Sequence, residues 1–267
     1  MKNKYIFAAV WLLTSLGISA ASEAKPLKSF SKAKRAAVGI YSGSEKTFYC
    51  NCPYKIVAKK STVDSSACGY KPRISITKNG NVNRRSKRIE WEHVMPAWNF
   101  GHQRGCWKQG GRKACRNDEE FSRMEADLHN LVPAIGELNG DRSNFKMGLI
   151  IGEPRAYGRC DFEVDFKSRT VEPNEDIRGD IARIYFYMRD QYQIDLNMQQ
   201  TLLFKVWNKA DPVSAWEIER DKRIHKIQGN GNPYIYSPSM RQPSLESKPL
   251  LGGKSILIQP KKKKNVY

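Results

Sequence analysis

Six cysteines, Cys50, Cys52, Cys68, Cys106, Cys115 and Cys160, all lie downstream of an apolar amino-terminal segment, and together they constrain the fold more than any other feature. Residues 1–24 carry Lys2 and Lys4, then an apolar run from Ile6 to Ala21, then small residues at Ser19/Ala21 and Ser22/Ala24. This is the pattern of a secretory signal. Thr14, Ser15 and Gly17 interrupt a run already short for a membrane span, so residues 1–21 are expected to be removed and the mature chain to have no span. An even cysteine count in an exported chain points to disulfides. Spacing selects one local pair, Cys106 with Cys115, which would clip a Gly-rich loop, and leaves the other pairings open. Zinc is the weaker alternative, because Cys50-x-Cys52 lacks the C-x2-C spacing that orients two thiolates on one metal.

Charge narrows the partner. Lys and Arg number 46 against 27 Asp and Glu, a formal charge of +19. Residues 1–21 hold two lysines and no acid, so +17 remains after cleavage. Such a chain is expected to meet a polyanion, with nucleic acid ahead of an anionic membrane surface. At 267 residues and 40% hydrophobic it can bury a substantial core, which excludes disorder throughout.

Along the chain, the basic segment 25–47 suggests an exposed helix around Lys32–Arg35, and 48–88 reads as irregular and β structure with a turn at Asn79-Gly80. Arg88 to Met95 alternates apolar and polar residues, a half-buried strand ending at Pro96. Residues 98–119 read as a long basic loop in which Trp98 and Trp107 pack. Leu128–Val132 reads as the next strand, and Pro133-Ala134 opens a helix to about Phe145. A further strand region spans 160–171. Ile181, Ile184, Tyr185 and Met188 then mark the buried stripe of a helix over 180–190. Asp180 is expected to cap that helix, which disposes of Arg178-Gly179-Asp180 as an adhesion tripeptide. Asp211-Pro212 is read as the cap and first residue of a helix stopping at Gly229. The expectation is one mixed α+β domain over residues 22–241, stabilised by disulfides, with 242–267, which includes Lys261–Lys264, as a flexible basic tail.

Glu92-His93 at a strand end, Glu125 before the second strand and Asn139 on the following helix supply a carboxylate, an imidazole and an amide oxygen. Phosphodiester hydrolysis needs these types. An imidazole with a pKa near ~6.5 can take a proton from water at neutral pH. A hard divalent cation on oxygen ligands relieves charge at phosphate and leaving oxygen, and Mg²⁺ suits a site with few protein ligands. Neighbours on an ideal strand face opposite ways, so Glu92 and His93 can share a site only if the strand twists or bulges. Arg104, Lys108 and Arg142 are expected to contact phosphates, while His129 braces the strand and His102 and His225 sit in solvent.

The motifs Trp91-Glu92-His93-Val94-Met95-Pro96-Ala97, Gly101-His102-Gln103-Arg104, Gly110-Gly111-Arg112, Met124-Glu125-Ala126-Asp127-Leu128-His129-Asn130-Leu131, Ile135-Gly136-Glu137-Leu138-Asn139-Gly140-Asp141-Arg142 and Lys226-Ile227-Gln228-Gly229-Asn230 resemble the endonuclease I family over about residues 30–240. The resemblance implies a ββα-metal site with one Mg²⁺, which cuts DNA, and RNA in many members, without sequence preference, to leave 5′-phosphates. It places the general base on His93, the metal ligands on Glu92 and Asn139, a phosphate-stabilising arginine on Arg112 and a supporting acid on Glu125. A monomer in the periplasm or outside the cell is the expected form. The alternative is a non-catalytic envelope protein that captures DNA for uptake, which has no need of Glu92, His93 and Asn139 together.

Overall fold

The alternating segment at residues 88–95 does become a strand, and the rest of the architecture is arranged around its two ends. The computed structural model describes residues 26–152 and 155–236; the expected signal at 1–21 and basic tail at 242–267 lie outside them. Helix α1 (Phe30–Ile40) precedes a hairpin of β1 (Tyr54–Val57) and β2 (Lys60–Val63), and α2 (Ser65–Cys68) follows. After β3 (Ile89–His93) come four short helices, α3 (Ala97–Gly101), α4 (Gly105–Lys108), α5 (Gly111–Ala114) and α6 (Glu119–Glu125). The chain returns as β4 (Leu131–Ile135) and passes straight into α7 (Gly136–Arg142). Strands β5 (Lys146–Met147), β6 (Phe162–Asp165) and β7 (Thr170–Pro173) form a sheet with β7 central, parallel to β5 and antiparallel to β6. Helices α8 (Arg178–Tyr192), α9 (Met198–Ala210), α10 (Ala215–Gln228) and α11 (Pro233–Tyr236) complete the α+β domain.

Strands β3 and β4 pair antiparallel in an unbroken register from Ile89 opposite Ile135 to His93 opposite Leu131. Pro133 lies inside β4, opposite Trp91, where the sequence suggested the start of a helix. A two-stranded sheet has only edge strands, so the missing N–H is tolerated, and the Pro133 carbonyl accepts the Phe48 N–H at 2.8 Å. The helix therefore starts at Gly136, and Leu128–Asn130 is a 3₁₀ turn capped by Asp127.

Segment 98–119 is helical in short pieces, not a loop. Asp118 accepts the Phe121 N–H to cap α6, and both its oxygens take the Arg104 guanidinium, so local polar groups do what apolar periodicity does elsewhere. Two expected caps also shift. Asp180 lies in the first turn of α8 and pairs with Arg183 at 3.0 Å, because a 3₁₀ turn at Glu175–Ile177 leads directly into the helix. Asp211 accepts the Gly179 N–H at 2.7 Å, serving α8 across space, while Ser214 and Glu217 form the capping box of α10. Gly229 ends α10 in the left-handed conformation, as expected. Helix α9 was not foreseen, since it buries little beyond Phe204 and Trp207.

The main core joins β4, the three-stranded sheet and α8, and a smaller one joins α1 to Leu128, Leu131 and Ile224, with Trp91 packing on both. The expected stripe Ile181, Ile184, Tyr185 and Met188 is buried. Disulfides link Cys106 with Cys115, as the spacing suggested, Cys52 with Cys68, and Cys50 with Cys160. With no free cysteine, no thiolate is left for zinc.

The closed loop spans 110 residues for Cys50–Cys160 and 9 for Cys106–Cys115. Chain entropy then makes the first worth ~4–5 kcal/mol and the second ~2–3 kcal/mol. Urea unfolding of the Cys50→Ser/Cys160→Ser and Cys106→Ser/Cys115→Ser proteins should show that order of destabilisation; the reverse order would contradict it.

Candidate active site

A cavity of about 490 Å³ opens at the carboxyl end of β3, with Glu90, Glu92, His93, Arg112, Asn139 and Arg142 among the residues lining it. The β3–β4 ladder contains no bulge, yet Glu92 and His93 both line this space. His93 is the last residue of its strand, and the chain bends away at Val94 and Met95. The Asn130 side chain holds that bend, accepting the Met95 N–H at 2.7 Å and donating to the Met95 carbonyl at 2.9 Å. The cavity thus wraps around a strand end, where both faces are reachable.

The His93 ring is almost wholly buried, packed on Phe30 at 4.8 Å and edge-on to Phe100 at 6.1 Å. Its Nε2 lies 2.8 Å from the Glu125 carbonyl oxygen. A carbonyl only accepts, so Nε2 carries the proton and Nδ1 is left with its lone pair. Burial pushes the imidazole down to about 4, with Arg112, Arg142 and Lys34 adding to the effect against the Glu125 carbonyl, which acts in the opposite sense. The ring is neutral at neutral pH, with its Nδ1 lone pair not engaged by the fold.

Glu92 is 4% exposed. Its Oε1 accepts the Tyr49 hydroxyl at 3.1 Å and lies 3.5 Å from Arg142 Nε, an ion pair without a hydrogen bond. Burial raises this carboxyl to about 7, despite Arg142 and the Tyr49 hydroxyl, which lower it. Arg142, expected on sequence grounds to meet a phosphate, is 0% exposed and cannot project to solvent. Its guanidinium instead donates to the carbonyls of His93, Val94 and Ser143 and to the Tyr185 hydroxyl. Arg142 therefore tethers α7 to the end of β3.

Arg112 is half exposed at the mouth of the cavity, its Nε donating to a Glu125 carboxylate oxygen at 2.6 Å. Glu125 thus orients two groups at once, His93 through its carbonyl and Arg112 through its side chain. Phe30 supports the same rim, with Lys34 Nζ 4.7 Å and Arg112 Cζ 5.6 Å from its ring centre. Arg104 is engaged by Asp118 and Glu120, so its charge is spent within the fold. Lys108 is exposed on α4 but does not line the cavity. Trp107 packs on Phe121, and Trp98 stacks on His102 at 3.9 Å. His129 is buried and bonded to the Asn230 carbonyl, a bracing role.

Asn139 Nδ2 donates to Glu90 at 3.2 Å, which leaves its amide oxygen free. Glu92 Oε1 is occupied by Tyr49, leaving Oε2 as its free oxygen. These are hard donors, and burial strips the Glu92 carboxylate of water that Arg142 and Tyr49 do not fully replace, so the pair suits a hard divalent cation. Among the described residues no three His, Cys, Asp or Glu side chains form a metal cage. A cation here would be held by Glu92 and Asn139, with water and substrate oxygens completing its shell.

Sequence reading missed Glu90, Phe30, Lys34 and Arg88 in this cavity, and Tyr49, which does not line it but holds Glu92. Glu90 was signalled by the strand period, being two residues from Glu92, and Lys34 by its helical spacing from Phe30. Tyr49 carried no local signal.

The sequence model of the family Endonuclease I matches residues 24–239. An extracellular deoxyribonuclease of Aeromonas hydrophila is 47% identical over 225 residues, covering 84% of this chain and 95% of its own. A periplasmic deoxyribonuclease of the same organism is 47% identical over 228 residues, covering 84% and 93%. Endonuclease-1 of Buchnera aphidicola is 46% identical over 234 residues, covering 88% and 89%.

Removing Arg142 should leave the buried Glu92 unpaired. The Arg142→Met protein is expected to lose about 3–5 kcal/mol of stability in urea unfolding. Arg112→Met, which breaks a half-exposed pair, should lose less than about 1 kcal/mol. Equal losses would show that Arg142 is not the tether described.

Proposed function

The chain belongs to the endonuclease I family and is an endonuclease, and we propose that it hydrolyses DNA without sequence preference, using Mg²⁺, to leave 5′-phosphate ends. RNA is a second substrate class in this reading. The observation that carries it is the fixed proton of His93: with Nε2–H committed to the Glu125 carbonyl, the Nδ1 lone pair shares one cavity with the oxygens of Glu92 and Asn139.

In this mechanism a water at Nδ1 of His93 gives up a proton to the ring as its oxygen attacks phosphorus in line, and the bond from phosphorus to the 3′-oxygen breaks, the leaving oxygen keeping the electron pair and taking a proton from solvent. Proton transfer to a neutral imidazole creates an imidazolium, which the Nε2 hydrogen bond to the Glu125 carbonyl stabilises. Arg112, oriented by the Glu125 carboxylate and half exposed, takes up negative charge on the phosphate. Arg88 and Lys34, which also line the cavity, add to the field that attracts the strand. One Mg²⁺, held by Glu92 and Asn139, supplies charge neutralisation at the phosphate and the leaving oxygen when bound. The backbone carries the recognition, so binding falls with salt and discriminates little among bases.

Export, to the periplasm or beyond, is supported by three disulfides, which persist in oxidising compartments, and by the extracellular and periplasmic names of the relatives. Among the described residues no helix is long and apolar enough to cross a membrane.

Nicking of supercoiled plasmid by the mature chain tests the reading. EDTA should abolish cutting, His93→Ala should slow it by about 10²–10⁴-fold while gel-shift binding persists, and Arg112→Ala should slow it by about 10²–10³-fold. Undiminished nicking by His93→Ala, or cutting that survives EDTA, would refute the mechanism. Binding without cutting in any divalent metal would favour DNA capture.

A further inference from the structure

Beneath Asn139 lies a set of contacts that the reaction outlined above does not use. Both oxygens of Glu90 are taken by arginines. Arg85 Nε donates to Oε1 at 3.0 Å and Arg85 Nη2 to Oε2 at 2.6 Å, a bidentate pair, and Arg88 Nη2 donates to Oε1 at 2.9 Å. Oε2 also accepts Asn139 Nδ2 at 3.2 Å. A carboxylate offers no donor, so the atom of Asn139 that faces it must be the NH₂ group, and the amide oxygen is turned the other way.

Helix α7 is shaped to admit this clamp. A Cβ on Gly136 would fall 2.9 Å from Glu90 Oε1 and 2.9 Å from the Arg85 carbonyl oxygen, and one on Gly140 would collide with the Arg85 guanidinium. Gly140 lies inside the helix, where glycine is a poor former, and the arginine beside it accounts for its presence. The loop that carries Arg85 is held by the same helix. Glu137 accepts Asn83 Nδ2 at 2.9 Å, and Asn83 Oδ1 accepts the Arg85 N–H at 3.1 Å. The contacts thus form a ring that leaves α7 at Glu137, runs through Asn83, Arg85 and Glu90, and returns to α7 at Asn139.

We propose that Glu90, clamped by Arg85 and Arg88 against Gly136 and Gly140, is a positioning residue that locks the Asn139 amide with its oxygen presented for a divalent cation. This inference rests on the metal role given to Asn139 under the proposed function. Glu90 is not itself a ligand, because its oxygens are already engaged. Without it the Asn139 amide is free to turn, and the wrong end, an NH₂ group, can face the cation. Loss of such an outer partner costs a metal site about 10–100-fold in affinity.

The test is titration of the full mature chain with Mn²⁺, a hard ion standing in for Mg²⁺, followed by the electron paramagnetic resonance signal of the free ion. Glu90→Met, of similar length but without an acceptor, should raise the Kd by about 10–100-fold, with folding checked by near-UV circular dichroism. Gly140→Ala, which displaces Arg85 and alters no ligand, should act in the same direction by a smaller factor, and it carries the test if Glu90→Met does not fold. The sign should reverse in an Asn139→Asp background. A carboxylate there presents oxygen whichever way it turns and is repelled by Glu90, so adding Glu90→Met should tighten binding. A merely structural Glu90 would weaken binding in both backgrounds. Wild-type affinity in folded Glu90→Met, or the same effect in both backgrounds, would overturn the inference alone. A wild-type chain that leaves the free Mn²⁺ signal unchanged would overturn the metal reading and this inference with it.

Discussion

The buried guanidinium of Arg142 is the contact on which the site depends. It stands at the carboxyl end of α7, fully buried, and gathers the carbonyls of His93 and Val94, the Tyr185 hydroxyl of α8 and the charge of Glu92. A charge taken out of water survives only where acceptors replace the water, and here they come from the strand end, its own helix and the core helix. One side chain therefore registers α7 against β3. Asn139 on the former and Glu92 on the latter can share a cavity because that register is held.

A strand end lets two adjacent residues, Glu92 and His93, line one cavity. Within a sheet, Glu92 and His93 would serve opposite faces. Where β3 stops at His93 there is no continuing ladder to separate them, and three elements close in. Helix α1 brings Phe30 beneath the imidazole, Tyr49 reaches Glu92, and the carbonyl of Glu125 fixes the ring proton. Burial then acts in opposite senses on the two groups. It keeps the His93 ring neutral by lowering its pKa, and it raises that of Glu92 by disfavouring the charged carboxylate.

The arginines divide into two populations that composition cannot separate. Arg104, Arg142 and Arg183 are spent on carboxylates and carbonyls within the fold. Arg112 stays half exposed at the cavity mouth. A large positive charge therefore serves both internal organisation and external attraction, and only the pairing decides which residue does which.

Local signals in the sequence determined the strand within Arg88–Met95, which runs from Ile89 to His93, the helix stripe from Ile181 to Met188, the Gly229 stop and the Cys106–Cys115 bridge. Each arises from neighbours within about ten residues, through period, backbone freedom or short loop closure. The motifs around Glu92, His93 and Asn139 drew attention to three residues that line one cavity. The start of α7, the origin of the caps on α8 and α10, the helices between 97 and 125 and the fate of Arg104 and Arg142 were decided by tertiary structure. Pro133 fits a strand because the two-stranded sheet leaves its edge open, and Asp211 caps α8 by accepting an N–H 32 residues before it. Tyr49 and Glu90 enter the site through contacts 43 and 49 residues along the chain, and no local pattern records a hydrogen bond over that distance.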